Sequence, residues 1–567
     1  MLTELYRREL NSLLAQAAEF GQAHPALAPW LAAKGQDPDV ERLLEGTAFL
    51  AATVRRQLAE GFPELAEALL DLLFPRLGQA LPAMILTHFQ PAPGFSEAQT
   101  APRGAQLASV PVNSVRARFA LASQTPIWPA QISQARLSQT VGGEGVLELK
   151  AASAAPLKNW LPDSLEIHLA GEYGQACDRR ELLLAKTKAI EVAAGNASYV
   201  LSPSAVAPSG LAPAFEGEAG PYLGYGLIRE YFAFPEKFLF ARLSGLGPLK
   251  NLSETTFSVR FYLKNLPKSP PPVKADHFLL NVGPAINLLT RPAHPINVDH
   301  RREEYLIRPQ RGEAEKLAIQ RVRQVVGVSA SGRERPYLPF AGYGGQSQAG
   351  YYAVRRGEGP GANEGHYLKV VYPQGRRPPE PETLSIDLYC YNRELTDFLR
   401  PGDVSLPTEK SPAMAVFANL STPSRVCPPP AAEGTLWRIL SCLHLSLSPL
   451  ASAEGLRDLL ALYAPLGDPD PARKIGVRQK IDSILALSAE TADAFVRGWP
   501  VRGVKLTLTV DGANFASPGE IGLFGDVLER FLADFLSLNS FLRLTVVEKN
   551  AQEARSWPIR IGSKKIL

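Results

Sequence analysis

Cysteine is scarce in this sequence. The chain of 567 residues has four, Cys177, Cys390, Cys427 and Cys442, and no two of them form a C-x-x-C pair. That spacing excludes dithiol redox chemistry and a zinc ribbon, and it leaves too few thiols for a disulfide framework. Charge of one sign is missing as well. The 60 Lys and Arg face 56 Asp and Glu, a net +4, too little over this length for the basic footprint of a nucleic-acid binder. Long apolar runs are absent. The most apolar late stretch, Leu436 to Ala451, contains Arg438 and His444 and is shorter than the ~18–20 residues of a membrane span. At the N-terminus, Glu4, Arg7, Arg8 and Glu9 occupy the place where a secretory leader is apolar. These absences lead us to expect a cytoplasmic, reduced protein with no nucleic-acid partner and no direct membrane insertion.

What is present is length and texture. The length implies about three or four domains. With 45 Gly and 49 Pro turns are frequent, yet the composition stays below the roughly 25–30% of a low-complexity chain. The expected class is α+β multidomain. It comprises an N-terminal helical bundle segment over 1–88, a β-rich domain over 89–269, a second β-rich domain with Pro-rich linkers over 270–434, and a C-terminal α/β domain over 435–567.

In the first segment, Tyr6, Leu10, Leu13, Leu14 and Ala17 recur at helical spacing. Asp37 and Pro38 read as the N-cap and first position of a second helix reaching about Glu60, and Leu65 to Leu73 as a third. The second helix carries more apolar surface than one face holds. At ~100° per residue, Val40, Leu43, Leu50, Val54 and Leu58 form one stripe while Phe49 falls roughly opposite. Either flanking helices of the same chain cover Phe49, or a partner does.

Further on, period-two segments such as RARFALAS and LEIHLAG mark strands between Met84 and Ser269. Pro267 to Pro272 and Leu406 to Gly434 have the composition of extended connectors. Near the C-terminus, Val504, Leu506, Leu508 and Val510 alternate with Lys505, Thr507 and Thr509 as a half-buried strand. Phe524, Val527, Leu528, Phe531, Leu532 and Phe535 then recur as an amphipathic helix, before a strand at Leu542 to Val547.

No set of residues has the spacing of a catalytic centre. His294 and His300, with Asp299 between them, lie among prolines and read as a polar loop rather than a metal or proton-transfer pair. Gly342 to Gly345 lacks the Lys-Ser/Thr of a phosphate loop, and Gly327-Val328-Ser329 lacks the second glycine of a nucleophile elbow. Basic doublets such as Arg55-Arg56 and Arg376-Arg377 are dispersed among acids, as in the charged rim of a protein interface. We therefore expect no catalytic residue, no metal and no cofactor.

Several strings carry a resemblance. Tyr6-Arg7-Arg8-Glu9-Leu10 is followed by Asp37-Pro38-Asp39-Val40-Glu41-Arg42-Leu43-Leu44-Glu45-Gly46, then Ala48-Phe49-Leu50-Ala51-Ala52 and Phe62-Pro63-Glu64-Leu65. Later come Phe234-Pro235-Glu236-Lys237-Phe238, Asn392-Arg393-Glu394-Leu395 and Leu523-Phe524-Gly525-Asp526-Val527-Leu528-Glu529-Arg530-Phe531. In these words the chain resembles, over nearly its whole length, the TssF family (also called VasA or ImpG), a baseplate subunit of the type VI secretion system.

The resemblance implies a non-enzymatic structural subunit. Two TssF copies would pair with one TssG in a wedge, which joins TssE and TssK around the VgrG spike and touches neighbouring wedges. The baseplate would dock at the inner face of the inner membrane. The N-terminal helices would enter a bundle between subunits. The expected interface residues are Leu10, Leu13, Leu14, Leu43, Phe49, Leu50, Val54, Phe524, Phe531 and Phe535. The alternatives are a wedge subunit of another contractile injection system and, more remotely, a β-rich hydrolase.

Overall fold

The computed structural model describes residues 2–23, 38–59, 78–92, 94–139, 144–214, 223–310, 317–340, 350–358, 364–371, 381–412, 415–429, 452–464, 470–496, 498–550 and 554–562. The expected third helix, the Gly342 to Gly345 loop, the apolar run Leu436 to Ala451 and Cys442 lie outside the described residues. The chain divides into two units, one containing residues 1–73 and the other most of the remainder.

Among its described residues the first unit contains the helices α1 (Leu2–Ala23) and α2 (Pro38–Ala59). The second begins at the proline, as the sequence predicts, because a fixed φ and a missing N–H cost nothing in a first turn. Thr47 and Thr53 lie inside α2 and donate their hydroxyls to the carbonyls of Leu43 and Phe49 one turn back. That bond keeps each hydroxyl from competing with the helix backbone.

The second unit is built mainly from strands. A six-stranded antiparallel sheet has the order 404–407, 106–109, 118–121, 282–286, 84–91, 415–419. Its core contains Ile85, Phe89, Phe119, Ala285, Leu399, Val404 and Phe417. This corrects two expectations. The 269/270 boundary does not separate two sheets, since strand 84–91 pairs with both 282–286 and 415–419. Residues 406 to 419 are likewise not a free linker. They supply both edge strands, and an edge strand tolerates Pro407 because one side of it needs no N–H. The connector Pro267 to Pro272 is also held, since the buried Arg179 donates to the carbonyls of Pro272 and Ala170.

Two further sheets of five and four strands lie between residues 130 and 279, and an eight-stranded sheet between 289 and 392. Gly327 sits inside the long strand Leu317–Ser329, paired with Leu384 and Arg335. There is therefore no strand-to-helix turn at Ser329 for a nucleophile elbow. Asp299 accepts from the Arg301 N–H and the Tyr305 hydroxyl in a turn where His300 has φ 59°.

The C-terminal α/β pattern is present as expected. Strands Ile484–Val496 and Trp499–Val510 form a hairpin, and the second of them pairs in parallel with Phe541–Glu548. The crossover between the parallel strands is made by a helix over Pro518–Ala533. We number the remaining helices of eight or more residues α3 (Tyr173–Ala185), α4 (Leu223–Ala233), α5 (Ala453–Tyr463), α6 (Pro471–Asp482) and α7 (Pro518–Ala533). Helix α7 is not the amphipathic surface helix that its periodicity suggests. It is buried nearly all round, with α3 and α4 packed against it.

Candidate assembly surface

Two alanines one turn apart, Ala48 and Ala52, are fully buried on α2, and α1 packs against this helix. Small side chains let two helix backbones approach closely. Leu10, Leu13, Leu14 and Ala17 of α1 are half-buried, and Glu9 is buried beside them. Three large apolar side chains of α2 are not buried with its alanines. Leu43, Phe49 and Leu50 are 71%, 52% and 66% exposed, and Phe20 of α1 is also exposed. Leu43, expected at an interface, is on the exposed side of α2, while the buried side carries the two alanines.

Val54 lies within α2, but its side chain falls outside the described residues. Charge contributes little here: Asp39 and Arg42 approach to 3.8 Å at the surface, an exposed pair of the kind that stabilises by under about 1 kcal/mol. An exposed leucine taken singly needs no explanation, but Leu43 and Leu50 on one stripe of α2 with Phe49 on another side leave the helix with apolar surface on more than one face.

Phe524, Phe531 and Phe535, expected at an interface, are corrected to core positions. Phe531 lies 5.2 Å from Tyr225 and 5.8 Å from Tyr463, ring centre to ring centre, and Phe535 lies 5.5 Å from Tyr225. Phe524 lies 5.7 Å from Tyr231. Their surfaces are covered by α4 and α5 of the same chain.

The polar chemistry of this region also closes on itself. Glu520, with no exposed surface, accepts from the hydroxyls of Tyr173 at 2.9 Å and Tyr231 at 3.1 Å, from the Ala516 N–H and from the Lys480 ammonium. A cleft of about 870 Å³ beside α7 is lined by Glu181, Asp526, Glu529, Arg530, Arg555 and Arg560 among others. Each carboxylate in that set already faces an arginine: Glu181 with Arg555, Glu529 with Arg560, and Asp526 with Arg180 at 2.6 Å. Burial alone would push the Asp526 carboxyl up. Arg180, Arg555 and the Trp557 indole N–H outweigh burial and hold it below the usual range. Burial pushes the Glu181 carboxyl up, with Arg555 and Arg180 opposing it. Among the described residues no group of three His, Cys, Asp or Glu is placed to hold a metal. Cys177, Cys390 and Cys427 are buried free thiols.

Sequence reading missed Phe495 and Trp499 at the tip of the C-terminal hairpin, 80% and 75% exposed. Large apolar residues at the tip of that strand pair, on both of its faces, were the available signal.

The chain is 30% identical to the type VI secretion system component TssF1 of Pseudomonas aeruginosa (strain PAO1), over 99% of each chain. Its fold matches a chain in a cryo-electron-microscopy structure of the type VI secretion system TssK-TssF-TssG baseplate subcomplex. That match has a TM-score of 0.76 at 27% identity and covers 92% of this chain and 98% of the other. A chain of a second structure, the baseplate complex from the type VI secretion system, shares the fold with a TM-score of 0.64 at 23% identity, covering all of both chains. The sequence model for "Type VI secretion system, TssF" matches residues 1–564, and the chain belongs to that family of type VI secretion baseplate proteins.

Proposed function

We propose that this chain is a non-catalytic structural subunit of the baseplate wedge. In this reading two copies join one TssG, and the wedge recruits TssE and TssK around the VgrG spike on the cytoplasmic side of the inner membrane. The observation that carries the reading is the division of labour on α2. Ala48 and Ala52 are buried, while Leu43, Phe49 and Leu50 remain exposed. A subunit that works by joining others needs such a patch, and a self-sufficient enzyme does not. The 27%-identical structure supports the choice of partners, since its chain is found with TssK and TssG.

The test is co-purification of the full chain with a TssG from the same source. Phe49→Asp places a charge in the patch, and a buried charge without a partner costs several kcal/mol. We expect Phe49→Asp to reduce recovery of the complex at least tenfold while circular dichroism of the chain is unchanged. Undiminished recovery would remove α2 from the interface.

A further inference from the structure

The cleft of about 870 Å³ beside α7 is matched in its acids and not in its bases. Glu181, Asp526 and Glu529 lie against Arg555, Arg180 and Arg560. The fourth carboxylate of the lining, Glu548, is turned to the end of its strand, where a Cβ on Gly512 would meet its Oε1. Two cations of the lining, Arg530 and Lys264, have no carboxylate partner among the described residues.

Arg530 is the more informative of the two. From Gly519 to Ala533 every residue of α7 is buried except Arg530, which is half-buried at the cleft. Among the described residues its guanidinium makes one hydrogen bond, to the Leu211 carbonyl, and that bond is long at 3.4 Å. A guanidinium carries five N–H donors in a rigid fork, so four are left for another group. Burial lowers its pKa and Arg560 lowers it further, against the pull of Glu529 and Asp526, which are bonded to other groups. The last turn of α7 favours a cation. That preference accounts for the sign of the charge, but not for a fork that meets the Leu211 carbonyl across the cleft and leaves most of its donors open. A charge withdrawn from water without a counter-ion destabilises the fold, and an anion entering the cleft would remove that cost.

The walls narrow the choice of anion. Leu184, Leu211, Ile521, Val546 and Trp557 give the cleft apolar surface, and Lys264 is exposed at its edge. The volume is that of a site enclosing a small ligand or a few side chains. A free phosphate would use the fork and leave the apolar wall bare. A short peptide with a carboxylate beside apolar side chains uses both, in the manner of acidic motifs held by arginines. We propose that this cleft is a docking site for an acidic segment of another polypeptide, with one carboxylate held by the fork of Arg530 and a second steered by Lys264. The inference is read from the cleft alone and does not rest on the wedge assignment.

A water-soluble carbodiimide joins an amine to a carboxylate only where the two touch. Applied to the full chain in the assembly it co-purifies in, it should join Lys264 to an aspartate or glutamate of a different polypeptide, identified by mass spectrometry of the linked peptides. The exposed ion pair of Lys188 with Glu144, at 2.5 Å, is the internal standard. Arg530→Gln should cut the Lys264 link at least fivefold relative to that standard. Because Arg530 lies on a core helix, a competition on the unaltered chain keeps the test independent of folding: excess of a hexapeptide alternating glutamate and leucine should suppress the link. The proposal is wrong if Lys264 links only within its own chain, or fails to link while Lys188 and Glu144 do. It is equally wrong if the peptide leaves the link intact, if folded Arg530→Gln links as before, or if inorganic pyrophosphate suppresses the link at a lower concentration than the peptide. Failure to recover TssG would bear on the wedge assignment, whereas the Lys264 link is scored on whichever polypeptide carries the carboxylate.

Discussion

Burial of His168 between strand partners, 4.7 Å from the Phe240 ring, leaves no room to hydrate a charged imidazole. Burial therefore pushes its pKa down to about 3, with the Leu239 backbone offsetting a little and His88 adding a little. His366 is lowered to about 4, chiefly by burial and further by Arg356 and Arg393. Both are depressed below the unfolded value of 6.5, so the unfolded chain takes up protons that the native chain refuses. Stability from these two groups is complete above pH about 6.5 and is lost as pH falls through 5 toward 4. We expect the urea midpoint to drop between pH 7 and pH 5, and His168→Phe to make that drop smaller; an identical drop in the variant would remove His168 as its source. Glu520 is the opposite kind of site, a buried carboxylate with every bond made. Replacing it with Gln keeps the shape and one acceptor, and leaves Lys480 without its counter-charge. The expected loss is about 1.5–3 kcal/mol, the range for hydrogen bonds to charged groups, read from the same denaturation curves.

Helix α7 owes its position to glycine as much as to its phenylalanines. A Cβ at Gly519 would stand 2.4 Å from the carbonyl of Cys177 in α3, and one at Gly224 in α4 would stand 2.6 Å from the Cα of Phe531. Backbone cannot move aside as a side chain can, so Gly519→Ala should cost about 1–3 kcal/mol as overpacking. Gly46→Ala in the exposed part of α2 meets nothing within 4 Å and should stabilise by about 0.5–1 kcal/mol through helix propensity. Paired denaturation midpoints check the opposite signs. These elements also mark what the sequence could tell. The start and length of α2 were legible because a cap, a proline and a period are local. The half-buried strand at Val504 to Val510 was legible because alternation is local. What covers each face was not, since α7 meets helices hundreds of residues upstream and periodicity is blind to the neighbour. The same blindness placed Phe531 at an interface.

Across the whole molecule, the order of strands in space departs furthest from their order in the chain. In the six-stranded sheet, the segments 84–91 and 118–121 are close in sequence, yet strand 282–286 lies between them, and both edges come from residues beyond 400. Proline-rich composition at 267–272 and 406–434 resembles domain punctuation because proline marks edges and turns as readily as linkers. The distinction lies in long-range pairing, which carries no local signature. A fragment ending at residue 269 would therefore keep strands Met84–Pro91, Gln106–Ser109 and Arg118–Leu121 but lose the strand that joins them and the edges that flank them. The five-stranded sheet between residues 130 and 263 has all its own strands within such a fragment. Hydrogen exchange on residues 78–269 should therefore divide sharply. Amides of 84–91, 106–109 and 118–121 should exchange at open-chain rates, while those of 187–194 and 256–263 stay protected. Protection of 84–91 in the fragment would mean that this strand finds a partner without residues 282–286, and the long-range account of the sheet would fail.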